Sequence, residues 1–67
     1  MTGKDILAER KKRGIAQNTF ATACGVSAEV ISAVEAESIQ VTPGELVRFW
    51  NMLEELVPLD TTVQSAA

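Results

Sequence analysis

Sixty-seven residues with a net charge of −3, from six basic and nine acidic side chains, and a hydrophobic fraction of 46% describe one small globular domain rather than a disordered chain. A chain near this size buries only about 60% of its unfolded surface, which leaves room for a small core and none for a sizeable substrate cavity. One cysteine, Cys24, with no histidine and no tyrosine, excludes an internal disulfide and a metal cage and argues against an enzyme, so no metal, cofactor or small-molecule substrate is expected.

The chain begins with Thr2 and, three residues later, Asp5, a capping-box-like helix start in which the acid also favours the N-terminal dipole. The first helix is predicted to run to about residue 13, with Ile6, Leu7 and the stem of Arg10 as its inward stripe and Gly14 as its end. No apolar run reaches the length of a membrane span, and Met1 leads straight into a charged helix instead of a signal peptide, so a cytoplasmic chain with no membrane partner is expected.

Ile15 anchors the connection to a second helix, Gln17 to Cys24, which starts without a side-chain cap because Ala16 stands where Ser, Thr or Asn would serve. Gly25 can take the left-handed conformation that ends this helix, and Ser27 caps a third helix from Ala28 to Ala36. Phe20 and Cys24 share one face of the second helix, Ile31 and Val34 one face of the third, and small Ala21 lies where the two would cross. Helix, glycine turn and capped helix make a helix-turn-helix, whose second helix fits the DNA major groove.

After a loop in ESIQV, Thr42-Pro43-Gly44-Glu45 is the clearest helix start in the chain: a capping Thr, Pro in the first turn and Glu to return the bond. The fourth helix continues to about residue 56 and is stopped by Pro58. Leu46, Phe49, Leu53 and Leu56 share its inward face, which leaves Val47, Trp50 and Val57 as a neighbouring apolar face suited to a homodimer interface. The domain is thus expected over residues 1–57, with a frayed tail over 58–67.

The run Arg10-x-x-x-Gly14-Ile15-x-Gln17-x-x-Phe20-Ala21-x-x-x-Gly25-Val26-Ser27-x-x-x-Ile31-Ser32-x-x-Glu35, followed by Pro43, Leu46, Phe49 and Leu53, resembles the Cro/CI-type (XRE) helix-turn-helix family of phage repressors and small bacterial regulators. The resemblance implies an all-α bundle of four or five helices containing a helix-turn-helix, a lambda repressor-like DNA-binding domain. It also implies a double-stranded operator as partner, and a homodimer. It places Ser27, Ala28, Glu29, Ser32 and Ala33 on the base-facing side of the third helix, and Gln17 and Asn18 at a phosphate on the second. It matches Arg10 and Glu35 to a pair that ties the first helix to the third, and both stand at otherwise inward positions, where a charge needs a partner.

Two features depart from the family pattern: Glu37 stands where a glycine is common, and the loop after it has no Lys or Arg. Glu54 and Glu55 extend the fourth helix where a glycine usually follows, so a fifth helix has no clear match.

Net charge points away from nucleic acid, but Arg10, Lys11, Lys12 and Arg13 are consecutive, and a local patch acts within about 8 Å whatever the total. Lys11, Lys12 and Arg13 are expected at phosphates, about three contacts in each protomer and a log–log salt slope near −5 for a dimer. The leading reading is a sequence-specific transcription regulator, a repressor of the Cro/CI kind. The alternative is a protein-interaction module, such as an antitoxin or adaptor, that uses the acidic and apolar surface of the same fold.

Overall fold

Short-range signals set the ends of four helices in the computed structural model, which describes residues 1–56: α1 (Gly3–Lys12), α2 (Gln17–Cys24), α3 (Ala28–Ala36) and α4 (Pro43–Leu56). At the start of α4 the Glu45 carboxylate accepts from the Thr42 N–H at 3.1 Å and the Thr42 hydroxyl accepts from the Glu45 N–H at 3.2 Å, a reciprocal capping box. Ser27 caps α3, its Oγ accepting from the Val30 N–H at 3.2 Å. The start of α1 is held twice. Asp5 accepts from the Thr2 N–H at 2.8 Å, and Glu37, from the far end of α3, accepts from the Lys4 N–H at 3.1 Å. No side chain caps the start of α2.

Three helices end in the same way. The N–H groups of Gly14 and Ile15 return to Lys11 and Arg10, those of Gly25 and Val26 to Thr22 and Ala21, and those of Glu37 and Ser38 to Val34 and Ala33. Each pair is a Schellman closure, which needs a left-handed residue: Gly14 at φ +71°, Gly25 at +76° and Glu37 at +59°. At the last of these a β-carbon is forced into the region that favours glycine, at a cost of about 1 kcal/mol. Hydrogen bonding to Lys4 offsets part of it.

Both α1 and α2 pack against α3 and α4. Phe20, Ile6, Ile31 and Leu53 are fully buried at the centre, with Ile15, Ala21, Val34 and Leu46 around them. Burying side chains of this kind stabilises by about 1.5–3 kcal/mol each. Phe49 sets its ring edge-on to Phe20, the centroids 6.0 Å apart. Gly3 is buried because a β-carbon there would stand 1.8 Å from the Val34 carbonyl oxygen, so the α1 backbone lies directly on the end of α3.

Leu46 and Leu53 of α4 are buried and Phe49 and Leu56 lie half-buried against the core. The same holds for Trp50, and this corrects the expectation that the monomer leaves it uncovered. The cause is that α4 is flanked by two helices, which together cover more of its circumference than one face. Its indole N–H also donates to Glu54 at 3.2 Å. Val47 remains 47% exposed. Val57, Pro58 and the expected tail lie outside the described residues.

Candidate nucleic-acid interface

The turn between α2 and α3 is fixed from both sides. Gly25 closes α2, and Val26, half-buried, packs its side chain on the core just before Ser27 caps α3. Ala21, 2% exposed, lets the two helices meet closely, and Ile31 and Val34 hold α3 down by one face.

Arg10 and Glu35 join α1 to α3. The Arg10 Nε–H donates to Glu35 Oε2 at 2.6 Å and the Nη2–H to Oε1 at 3.0 Å, a two-pronged contact between side chains 10% and 5% exposed. The remaining Nη1–H groups reach the Ile15 carbonyl at 2.8 Å, and Gln17 donates to Glu35 Oε1 at 3.2 Å. One carboxylate on α3 therefore fixes α1, the connection after it and the first residue of α2. It sets the orientation of the helix-turn-helix as well as its stability.

Opposite Ile31 and Val34 the outward side of α3 carries Glu29, Ala33 and Ala36, spaced four and three residues apart, with Ser32 and Val30 on its flanks. Glu29, Ser32 and Ser27 are exposed, while Ala28 and Ala33 are half-buried and Ala28 packs on the core. Val30, 38% exposed, and exposed Ala36 belong to this outward side and were not among the residues expected there. Counting helical spacing from Ile31 would have found both.

Gln17 is half-buried and Asn18 exposed at the start of α2, where the first-turn N–H groups have no side-chain cap. A helix N-terminus left open in this way suits an anion, since its free donors and the helix dipole both favour negative charge.

The basic run splits. Lys11 and Lys12 are exposed, but Arg13 is buried: its Nε–H donates to Glu9 at 2.8 Å and its Nη1–H to the Leu53 carbonyl at 3.3 Å. Arg13 therefore bridges α1 to α4 instead of reaching for phosphate, which corrects its place in the expected cluster. The reason is local, for Glu9 stands one helical turn before it. With Arg10 also turned inward, two cations of the four face solvent. Elsewhere the exposed cations are Lys4 and Arg48, and among the described residues exposed acids outnumber exposed cations.

Cys24 is half-buried beside the core, and burial pushes its thiol pKa up, away from the thiolate that a nucleophile needs. Among the described residues no cluster of His, Cys, Asp or Glu side chains could hold a metal ion, and no helix is long and apolar enough to cross a membrane.

Four helices with an outward-facing α3 after a glycine turn define an all-α helix-turn-helix protein. A family model described as helix-turn-helix matches residues 6–49, more than half of the chain. The chain belongs to this family, the XRE-type helix-turn-helix proteins, which are DNA-binding transcription regulators. No curated protein and no solved structure matches it.

Proposed function

We propose that the protein is a sequence-specific repressor of the Cro/CI kind that binds a near-palindromic operator as a homodimer and lays α3 in the major groove. The observation that carries this reading is the outward side of α3, which the core holds by the opposite face and which, among the described residues, leaves Glu29, Val30, Ser32 and Ala36 exposed. Lys11, Lys12, Gln17, Asn18 and the open amides of α2 would take phosphates, the Gln17 side chain keeping one hydrogen bond to Glu35. With Arg13 turned inward, about two cations in each protomer and four in the dimer give a log–log salt slope near −4, shallower than the full basic run implied.

The base-facing side has no Arg, Lys, Gln or Asn, so the usual bidentate readers of guanine and adenine are absent. Glu29 would accept from a cytosine amino group, Ser27 and Ser32 would bond to several bases, and Ala33, rather than the core-packed Ala28, would touch thymine methyls. Specificity is accordingly modest and draws on DNA shape. Val47 supplies the exposed apolar anchor of the dimer on α4, with half-buried Trp50 beside it. Sedimentation of Val47→Glu tests this part with little risk to the fold: the variant should be monomeric at concentrations where the parent is dimeric, and an unchanged balance would remove α4 from the interface.

The acidic exposed surface favours the second reading, a protein-interaction module. A gel shift on random DNA at low salt separates the two. A regulator should retain non-specific affinity there, and Glu29→Gln should raise it while loosening preference at one base pair. If Glu29→Gln changes neither, α3 is not in the groove and the interaction module takes precedence.

A further inference from the structure

The outward side of α3 has an unusual chemical balance for a reader of bases. Its polar groups are the carboxylate of Glu29, which only accepts, and the hydroxyls of Ser32 and Ser27, of which Ser27 Oγ already accepts from the Val30 N–H. The rest is methyl groups. Val30 is exposed and not part of the core cluster, and Ala33 lies three residues from Val30 and four from Glu29, so the three side chains form one continuous patch. Glu29 and Val30 lie in the first turn of α3, the part of a recognition helix that reaches base edges, and Ala33 follows one turn later.

In the major groove a carboxylate needs a donor that is not flanked by acceptors. The adenine amino group has N7 on one side and thymine O4 on the other, both acceptors. The cytosine amino group has the guanine acceptors on one side only, and on the other the C5 edge, where thymine would carry its methyl. A carboxylate with methyl groups beside it therefore matches an amino group with a methyl beside it better than any unmodified base.

We propose that α3 prefers DNA carrying 5-methylcytosine, with Glu29 accepting from the N4 amino group and Val30 and Ala33 packing on the C5 methyl. The inference rests on the DNA-binding reading above. Val30 is its specificity-determining residue, and neither composition nor family membership assigns it that role.

The test uses a random duplex pool enriched by binding to the protein and then re-amplified with either cytosine or 5-methylcytosine throughout. The methylated pool should bind about fourfold more tightly for each methyl buried in the complex. Val30→Ala, which removes the outer methyls and favours the helix, should lose most of that ratio, the readout being the methylated-to-unmethylated ratio within each protein and not its absolute affinity. Equal binding of the two pools, or a ratio that survives Val30→Ala, overturns the proposal and leaves the DNA-binding reading standing. Failure to bind either pool at low salt overturns both.

Discussion

Replacing Glu35 by Gln removes one negative charge from a buried carboxylate that three hydrogen bonds converge on, while changing almost nothing in shape. In the parent, Glu35 accepts two hydrogen bonds from Arg10 and one from Gln17, at 2.6, 3.0 and 3.2 Å. After the change Arg10 keeps its charge and the Ile15 carbonyl, but two of its donors must share one neutral oxygen in a site where its side chain is 10% exposed. Stranding a buried charge costs about 3–5 kcal/mol, and the residual bonds place the cost near the lower end. A domain of this size has about 3–10 kcal/mol in total, so the variant should approach the limit of folding. At a urea dependence of about 1 kcal/mol per molar the midpoint should fall by about 3 M, read by helical circular dichroism and by the fluorescence of Trp50, the only tryptophan. Replacing Arg10 and Glu35 together by Met and Leu should cost less than the sum of the single losses. A midpoint lowered by less than about 0.5 M, or strict additivity in the double variant, would mean that the pair does not carry the α1–α3 contact.

Gly3→Ala should lower stability by about 1–3 kcal/mol, because the new β-carbon meets the backbone oxygen of Val34 and not a side chain that can swing away; an unchanged denaturation midpoint would show that α1 can lift from α3 without cost. At Glu37 two variants separate strain from capping: Glu37→Ala loses the bond to Lys4 and keeps the left-handed strain, whereas Glu37→Gly loses the bond and relieves the strain. The glycine variant should be the more stable of the two by about 1 kcal/mol, and equal midpoints would contradict the left-handed assignment. Lys12→Ala should weaken binding to all DNA sequences alike and flatten the salt slope by about 1 for each phosphate that a protomer no longer neutralises. Arg13→Ala should instead lower the thermal midpoint and leave the slope alone, and the reverse pattern would return Arg13 to the phosphate surface.

How far the sequence could be read depended on how local each signal was. The start of α4 is written in Thr42, Pro43 and Glu45, and the turn in Gly25 and Ser27, all within four residues of the structure they cause. Arg13 differs. Four consecutive cations look alike until Glu9 and the distant Leu53 carbonyl select one of them for burial, and only the first of those partners is visible as an i,i+4 spacing. The partial cover over Trp50 was not legible, because an apolar stripe gives the direction of a side chain but not the number of helices packed around it. Gly3 offered a weaker hint. A glycine in a first turn that already has its cap suggests a close approach, but nothing near it in sequence names Val34 as the neighbour. Glu37 could be recognised as a departure from the family's glycine. That it accepts the bond to Lys4 while standing in the left-handed region required the α1–α3 packing to be seen.

The claim on which the rest depends is that α3 reads DNA in two copies. Selection of bound sites from a random double-stranded library measures this directly, since it reports binding, base preference and half-site spacing in one experiment. Two short half-sites related by a dyad, with centres one helical turn or about 34 Å apart, are predicted, with weak conservation at each position. A library that emerges unenriched, from a protein that also shows no shift of random DNA at low salt, would contradict the account and leave the interaction module as the function of this fold.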